Sequence, residues 1–319
     1  MPSPEAESSQ STGTSLLLQR SRGLDTWGPL ITLWIVWGTT YMGTSAMVQT
    51  MPPLVGSGAR YLGAAAVLAT LLVIFRGPGI LQISRRQLAN TVVGGIGIIG
   101  IWAALVALAL EHIPSGIAAL LGATVPAWVI LLRLGSGDRV NLLTWTGVAI
   151  AILGAGAMVL PGGTEPIAGD SAGTVALWSI VVLIASFTYA LFSWRSRGVD
   201  LPNKALVSAM FQLLWGGLAV VLVGFLAGER VSIDDYSTVS WAGFGWLILA
   251  SIVGYGSYTY LLQHAPLSLV STFAFVNPVV AVLLGWLLLG EPFTRSIIVG
   301  LVVVVTGTAL VVRGESRAN

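Results

Sequence analysis

Charged side chains are scarce in this chain of 319 residues. Only 9% of the residues are Asp, Glu, Lys or Arg, whereas a typical soluble protein carries about a quarter. Hydrophobic residues make up 55% of the chain, and the mean hydropathy is +0.87. Because so few charges cannot cover the surface of a soluble fold of this size, the composition predicts that most of the chain lies in a lipid bilayer.

Other scarce residue types exclude several classes of site. Cysteine is absent, so the chain has no disulfide framework and no thiolate nucleophile or metal ligand. The two histidines lie 152 residues apart, and Lys204 follows Pro202 and Asn203 rather than the glycine-rich loop of an ATP motor. The net charge of +2 is too small to indicate nucleic-acid binding. We therefore expect no metal site, no cofactor and no nucleic-acid partner.

The apolar residues form ten stretches, each close to the ~20 residues that cross the hydrocarbon core of a bilayer. We number them spans 1 to 10, and they cover residues 28–50, 53–75, 91–111, 114–134, 142–161, 173–194, 204–227, 241–262, 266–289 and 295–313. Residues 1–26 are polar and rich in Ser and Thr, which predicts a disordered cytoplasmic tail, and residues 314–319 form a second tail. The prediction is an all-α integral membrane protein with ten transmembrane helices.

Charge placement predicts the orientation of these helices. With the N-terminus inside the cell, most of the basic residues fall in inner segments, whereas the outer loops carry several acids. These acids are Glu165, Asp170, Glu229, Asp234 and Asp235. An excess of Lys and Arg in short cytoplasmic loops is typical of membrane proteins. We therefore expect a multi-pass protein of the bacterial inner membrane, with both termini in the cytoplasm.

An internal repeat relates the two halves of the chain. A shift of 152 residues superposes His112 on His264, Pro114 on Pro266 and Pro126 on Pro278, and a shift of 153 superposes Asp138 on Glu291. The repeating unit contains five helices, and the units cover residues 27–162 and 172–313. Because five is an odd number, the two copies must cross the membrane in opposite directions. Such inverted repeats are typical of secondary transporters, whose substrate site lies between the halves near the midplane.

Several motifs resemble one known family. They are Val36-Trp37-Gly38-Thr39-Thr40-Tyr41, Gly58-Ala59-Arg60-Tyr61, Ile113 to Ala119 with Ala123-Thr124-Val125-Pro126, and Phe275 to Ala281 with Gly290-Glu291. In this order the motifs resemble the EamA-type members of the drug/metabolite transporter superfamily. The resemblance covers nearly all of the chain from Trp27 to Val312, and it implies two five-helix inverted repeats and the export of small metabolites such as amino acids. One departure lies in span 6, where Tyr189-Ala190 stands at the position of a Trp-Ala pair.

Arg60 is the one charge well inside a span, about seven residues or ~10 Å from the outer end of span 2. A central Arg costs roughly 2.5–3.5 kcal/mol in insertion experiments, so its side chain is expected to face the bundle interior or a water-filled cavity. It could bind a substrate carboxylate or gate the outer vestibule. Alternatively, it snorkels to the interface or binds free backbone carbonyls.

Hydroxyl and aromatic side chains occur at helical spacing in three spans. Span 1 carries Trp37, Thr40, Tyr41, Thr44 and Ser45, span 8 carries Ser251, Tyr255, Tyr258 and Thr259, and span 9 carries Ser268, Ser271, Thr272 and Phe275. These faces are too polar for lipid, and we expect them to line a central cavity. The candidates for substrate contact are Trp37, Thr40, Tyr41, Arg60, Trp102, Tyr255, Tyr258 and Asn277. The alternative is that the hydroxyl groups only join neighbouring helices by hydrogen bonds.

Two prolines occupy equivalent positions in spans 4 and 9. Pro126 and Pro278 should free the carbonyl groups of Gly122 and Ala274 and bend their helices. They are candidates for hinges between inward-open and outward-open states, or else for static bends that shape the cavity. Asn277 could satisfy the freed backbone groups or contact substrate.

Two adjacent residues at the end of span 3 could carry protons. Glu111 is the one acid near the outer cavity, and with His112 it forms the best candidate for a proton relay. The alternative for His112 and His264 is capping of helix C-termini. The spans contain no other carboxylate, which favours facilitated transport or substrate exchange.

The leading hypothesis is a secondary, non-ATP transporter that exports small neutral or zwitterionic metabolites by alternating access. Its expected partners are a small-molecule substrate and the lipid bilayer. A polytopic membrane enzyme would need paired carboxylates, a metal cluster or a nucleophile with its base, and Asp234-Asp235 in a loop is the nearest pair. A membrane sensor or scaffold without transport is the third hypothesis.

Overall fold

The computed structural model describes residues 4–159, 170–196, 198–265, 267–291 and 293–318. Within these ranges every regular element is a helix, which confirms the predicted all-helical fold. The α-helices are α1 (Pro4–Met47), α2 (Pro53–Arg76), α3 (Arg85–Gly94), α4 (Ile101–Ala109), α5 (Ser115–Gly122), α6 (Val125–Gly135), α7 (Leu142–Val159), α8 (Ala172–Arg195), α9 (Ala205–Leu226), α10 (Thr238–His264), α11 (Leu267–Val270), α12 (Phe273–Leu289) and α13 (Arg295–Ala318). A π-helical turn, Gly95–Gly100, joins α3 to α4, and the 3₁₀ turns are Pro78–Leu81 and Ile233–Asp235.

Seven helical segments in the described ranges are long and apolar enough to cross a membrane. They are Pro53–Arg76, Arg85–Ala109, Ser115–Gly135, Ala172–Arg195, Ala205–Leu226, Thr238–His264 and Arg295–Ser316. Two shorter apolar helices are Leu142–Ala157 and Phe273–Leu289. These nine segments correspond in order to spans 2 to 10, and α1 contains span 1.

Two helix starts differ from the sequence-based expectation. The structure extends α1 back to Pro4, whereas the sequence predicts a disordered tail over residues 1–26; no proline lies between Pro4 and Pro29 to interrupt a helix there. The third span begins at Arg85 rather than near residue 91, because Ser84 starts the helix. The Ser84 hydroxyl accepts from the Gln87 backbone N–H at 3.1 Å, and the Gln87 side chain accepts from the Ser84 N–H at 3.2 Å.

The helices pack in a pattern that is unchanged when spans 1–5 are exchanged with spans 6–10. Helix α2 packs along α9, α5 along α12 and α7 along α13, and each of these pairs joins equivalent spans. Helix α1 packs against α10 and α12, and in the same way α8 packs against α4 and against both α5 and α6. These three pairs of equivalent spans therefore meet across the boundary between the halves.

Small residues allow two of these pairs to approach closely. A Cβ atom on Gly58 of α2 would lie 2.7 Å from the carbonyl oxygen of Gly217 in α9. A Cβ atom on Gly147 of α7 would likewise lie 2.7 Å from the carbonyl oxygen of Gly307 in α13. Helices in lipid associate through such close backbone contacts, so these glycines fix the spacing between the two halves.

The bundle has two ends, which we call the His112 end and the His264 end. The His112 end contains the loop after α4. A buried cluster there joins Met47, the last residue of α1, and Met51 to Leu110 and Ile113. Helix α10 begins at this end, where the Ser240 hydroxyl accepts from the Thr50 backbone N–H at 3.2 Å. It then runs across the bundle to His264 at the opposite end.

Candidate functional site

A cavity of about 230 Å³ lies between the helices at mid-depth of the bundle. It is lined by residues from α1, α2, the π turn, α4, α5, α6, α8, α10 and α12, so both halves contribute. Seven of the eight predicted cavity residues line it, namely Trp37, Thr40, Tyr41, Arg60, Trp102, Tyr255 and Asn277. The predicted hinge residues Pro126 and Pro278 line it as well. The cavity has the location expected of a ligand site within a helix bundle.

Aromatic rings form one wall of the cavity toward the His264 end. The Trp37 ring lies 5.7 Å from Tyr255, 5.3 Å from Tyr258 and 5.0 Å from Phe273 between centroids. Tyr258, the eighth predicted residue, packs against Trp37 and is not part of the cavity lining. This wall joins α1, α10 and α12.

A second group of rings forms the opposite wall. The Trp102 ring lies 6.5 Å from Tyr41 and 5.6 Å from Tyr189 between centroids, in both cases edge to face. Such pairs contribute roughly 0.5–1.5 kcal/mol beyond their buried area. The cavity is therefore bounded by rings from six helices, since α2 adds Tyr61 to those of α1, α4, α8, α10 and α12.

Three lining rings were missed by the sequence analysis, which did not select Tyr61, Tyr189 or Phe273. Tyr189 follows Trp37 by the repeat shift of 152 residues, and that shift could have identified it. Phe273 lines the cavity where Phe275 was predicted. The reason is a break between α11 and α12 at residues 271–272, which changes the phase of the helix. Helical spacing predicts a face only along a continuous helix, so a count that starts before the break does not identify the residues of α12 that face the cavity.

Arg60 is the only cation among the described residues that line the cavity. Its side chain is buried, with 6% of the residue exposed. One terminal nitrogen donates to the Tyr61 hydroxyl at 2.8 Å, and the guanidinium carbon lies 3.8 Å from the centroid of the Tyr61 ring. Its Nε has no hydrogen-bond partner, and no carboxylate of the described chain forms an ion pair with it. The snorkelling alternative is therefore not the arrangement in the structure.

The two proline-containing spans break in different places. In span 4, α5 ends at Gly122 and α6 begins at Val125, directly before Pro126. In span 9 the break comes earlier, and Pro278 lies inside the continuous helix α12. The equivalent prolines therefore do not produce equivalent bends in this structure.

Side chains from other helices satisfy the backbone at the span 4 break. The Ser186 hydroxyl of α8 donates to the Leu121 carbonyl at 3.1 Å, and the Thr308 hydroxyl of α13 donates to the Ala123 carbonyl at 3.0 Å. Buried carbonyl groups need such partners. The break is thus fixed by contacts from the second half.

Asn277 joins α12 to α1 at the edge of the cavity. With its amide nitrogen oriented to donate, it reaches the carbonyl oxygens of Phe273 at 3.2 Å and Trp34 at 3.1 Å. Trp34 in turn donates from its ring nitrogen to the Thr272 hydroxyl at 3.0 Å. Asn277 therefore binds backbone carbonyls, but they are not the Gly122 and Ala274 carbonyls that the prolines were predicted to free. Its side chain also lines the cavity.

Glu111 and His112 lie in the loop between α4 and α5, outside the cavity lining. The His112 ring stacks on Trp178 at 4.8 Å, and its Nδ1 lies 3.4 Å from an Asp170 carboxylate oxygen. Burial raises the pKa of the Glu111 carboxyl above its ordinary value, while His112 lowers it and Glu229 raises it. The structure therefore does not place Glu111 and His112 beside the candidate residues that line the cavity.

The cavity is enclosed differently at its two ends. Every residue from Ile113 to Thr124, at the His112 end of span 4, is buried. The equivalent segment 265–276 of span 9 is mostly half-buried, and Val270 is its one buried residue among those described. Packing is therefore tighter at the His112 end, which we call the sealed end, than at the His264 end.

Comparison with known proteins identifies similar chains. The model of the EamA-like transporter family matches residues 28–160 and again residues 172–313. The chain is 33% identical over 298 residues to the "Uncharacterized inner membrane transporter YedA" of Escherichia coli K12, covering 92% of each chain. It is 25% identical over 299 residues to the "Probable amino-acid metabolite efflux pump" of the same strain, covering 88% of this chain and 92% of that one.

A structural comparison agrees on the fold. One solved crystal structure matches with a TM-score of 0.62 and 17% sequence identity, covering 90% of this chain and 96% of the other. Together with the apolar helices and the two matches to one family model, this similarity gives the class of the protein. The chain is a multi-pass membrane protein that belongs to the EamA-like transporter family.

Proposed function

We propose that this protein is a secondary transporter of small metabolites in the inner membrane, working by alternating access. The observation that carries the proposal is the central cavity, which both halves line and whose surrounding helices pack more tightly at the His112 end than at the His264 end. A solute site with one accessible side is what one state of an alternating-access cycle requires. The family matches and the relatives named as transporters favour this function over an enzyme or a sensor.

The proposal includes ten crossings arranged as two inverted five-helix repeats, residues 27–162 and 172–313. The packing of α2 on α9, α5 on α12 and α7 on α13 supports it, because each pair joins equivalent spans. The two separate family matches also support it.

We propose that the His264 end faces the cytoplasm, with both chain termini on the same side. By the topology of the helices, this end carries Arg76, Arg85, Arg86, Arg133, Arg139, Arg195 and Lys204, whereas the His112 end carries Arg230 and Arg295. The excess of basic residues favours the cytoplasmic side for the His264 end. The structure then corresponds to an inward-open state.

The substrates proposed are small neutral or zwitterionic metabolites such as amino acids, and the proposed direction is export. The name of the E. coli metabolite efflux pump supports this class. The described lining of the cavity includes no carboxylate that could carry a proton, which favours facilitated transport or exchange over proton coupling.

Tracer counterflow in proteoliposomes tests the proposal, across a panel of metabolites and with and without a pH gradient. We expect saturable flux that Gly122→Leu abolishes, because a Cβ at Gly122 lies 3.0 Å from the Trp102 ring inside the cavity. The matched control is Gly135→Leu in the same span, where a Cβ meets nothing within 4 Å. Flux that is equal in both variants, or no flux above protein-free vesicles for any metabolite, would contradict the proposal.

A further inference from the structure

The electrostatic character of the cavity is set by one residue. Arg60 contributes a guanidinium, and the other described lining residues are aromatic, apolar, hydroxyl or amide groups. A guanidinium carries five N–H donors, of which one is bonded to Tyr61 and the Nε donor is unpaired. A buried donor left unpaired costs free energy, so the protein leaves the Arg60 guanidinium with unsatisfied hydrogen-bonding capacity.

The repeat symmetry does not provide a second cation. The residue equivalent to Arg60, at a shift of 152, is Gln212 of α9. Its side chain donates to the Ser208 hydroxyl at 3.0 Å and is not part of the cavity lining. A ligand with one acidic group is therefore matched on the α2 side of the cavity, and a second acidic group would have no partner.

The remaining lining fits an apolar body. Two walls of rings, centred on Trp37 and on Trp102, face the cavity. An ammonium group finds no carboxylate among the described lining residues, and ring faces are its available partners. Such faces accommodate an ammonium group without requiring one.

We propose that Arg60 binds the carboxylate of a substrate that has one acidic group and an apolar, preferably aromatic, body, and that an amino group is not required. This assignment rests on the transport function proposed above and narrows its substrate class. Amino acids with large apolar side chains and their deaminated analogues both meet the requirement. Dicarboxylates and polyphosphates do not.

Binding to the purified full-length protein, measured by isothermal titration calorimetry, tests this with a matched series of probes. Phenylacetate and phenylalanine carry a carboxylate, phenylacetamide replaces it with an amide, and 2-phenylethylamine carries only an ammonium group. We expect the two carboxylates to bind within about tenfold of each other, and the other two probes to bind at least about tenfold more weakly.

Two variants assign the effect to one side chain. Arg60→Gln introduces the residue that the second half carries at the equivalent position, and it should weaken carboxylate binding at least about tenfold while leaving the amide unchanged. Arg76→Gln, on the exposed last turn of the same helix, should change neither. If Arg60→Gln is not recovered as folded protein, the probe series on the unaltered chain decides alone.

Three results would overturn the assignment: no binding of either carboxylate, equal affinity for phenylacetate and phenylacetamide, or unchanged phenylacetate affinity in folded Arg60→Gln. Flux measurements separate this from the transport function. If probes bind in an Arg60-dependent way but no flux is measured, the transport function is contradicted. If a probe is transported and its affinity does not change in Arg60→Gln, only the assignment of Arg60 as the carboxylate-binding residue is contradicted.

Discussion

The part of span 4 at the His112 end and the equivalent part of span 9 have related sequences and different surroundings. Residues 113–124 are buried throughout, whereas the described residues of 265–276 are mostly half-buried. The helix breaks also differ, since span 4 breaks at 123–124 and span 9 at 271–272. Two halves with the same helix order thus adopt different local packing, and the difference defines which end of the cavity is closed.

The sealed end is held by both apolar and charged contacts. Its apolar part is the cluster that contains Met47, Leu110, Ile113 and Ile117. Its charged part is Glu291, which accepts from the Ser115 N–H at 2.8 Å, from the Ser115 hydroxyl at 2.9 Å and from the Gly116 N–H at 3.3 Å. A carboxylate at a helix N-terminus is stabilising, so Glu291 secures α5 against the end of α12.

The repeat counterpart of Glu291 has a different partner among the described residues. Asp138 lies at the His264 end, where it accepts from Arg133 Nε at 2.9 Å. The two equivalent acids therefore have different partners, as the two ends have different packing. This pair of residues gives the most direct way to perturb one end and not the other.

The largest predicted effect is that of Glu291→Gln. Hydrogen bonds to charged groups contribute about 1.5–3 kcal/mol each, so their loss should raise the population with an open His112 end about tenfold or more. The chain has no cysteine, so a single Ile117→Cys, buried in the seal, can report opening through its rate of reaction with a maleimide.

Asp138→Asn is the matched control for that experiment, because it changes the equivalent acid at the end that is already open. It should not raise the labelling rate at Ile117→Cys. Equal maleimide labelling rates of Ile117→Cys with and without Glu291→Gln would mean that Glu291 does not hold the His112 end closed.

A smaller effect is expected for the ring wall toward the His264 end. Tyr255 lines the cavity and Tyr258 packs behind Trp37. Loss of an aromatic contact costs roughly 0.5–1.5 kcal/mol, so Tyr255→Ala should weaken substrate binding by several-fold, and Tyr258→Ala by less. Titration of both variants with the same ligand measures this, and a larger effect at Tyr258 would contradict the described wall.

The span 4 break should respond to loss of its buried partner. Thr308→Val removes the hydroxyl bonded to the Ala123 carbonyl and should lower the free energy of unfolding by about 1 kcal/mol. Thr306→Val on the exposed face of α13 is the control. Thermal unfolding in detergent compares them, and equal Tm values would show that the break does not depend on Thr308.

The smallest effect is predicted for Glu111→Gln. Burial raises the pKa of the Glu111 carboxyl in the folded state, so its ionisation costs the folded state stability as the pH rises through that pKa. The variant and the unaltered protein should have the same Tm at low pH, and the unaltered protein should become relatively less stable at neutral pH. A relative gain with rising pH would contradict the described surroundings of Glu111.

The sequence predicted the helices and much of the cavity because both depend on local patterns. Apolar length predicts the spans, and helical spacing brings Trp37, Thr40 and Tyr41 to one face. Arg60 could be predicted because a charge inside a span has few tolerable positions. These inferences need no knowledge of how the helices are arranged.

The rest depends on how the helices pack against one another. The position of the break in span 9 determines whether Phe273 or Phe275 lines the cavity, and the break depends on packing between the halves. Glu291 and Asp138 are equivalent in sequence, yet one caps a helix and the other pairs with Arg133. Asp138 follows its partner Arg133 by five residues, whereas Trp286 stands at that place before Glu291. The contact of Glu291 with Ser115 joins distant parts of the chain and depends on how the helices pack.

Distances across the two ends test alternating access directly. Nitroxide pairs at positions 111 and 231 for the His112 end, and at the repeat-equivalent positions 263 and 79 for the His264 end, occupy exposed residues. Pulsed electron–electron double resonance, recorded with and without substrate, measures both distances. Alternating access predicts that one distance lengthens as the other shortens, whereas fixed distances at both ends, or distances that lengthen together, would contradict it.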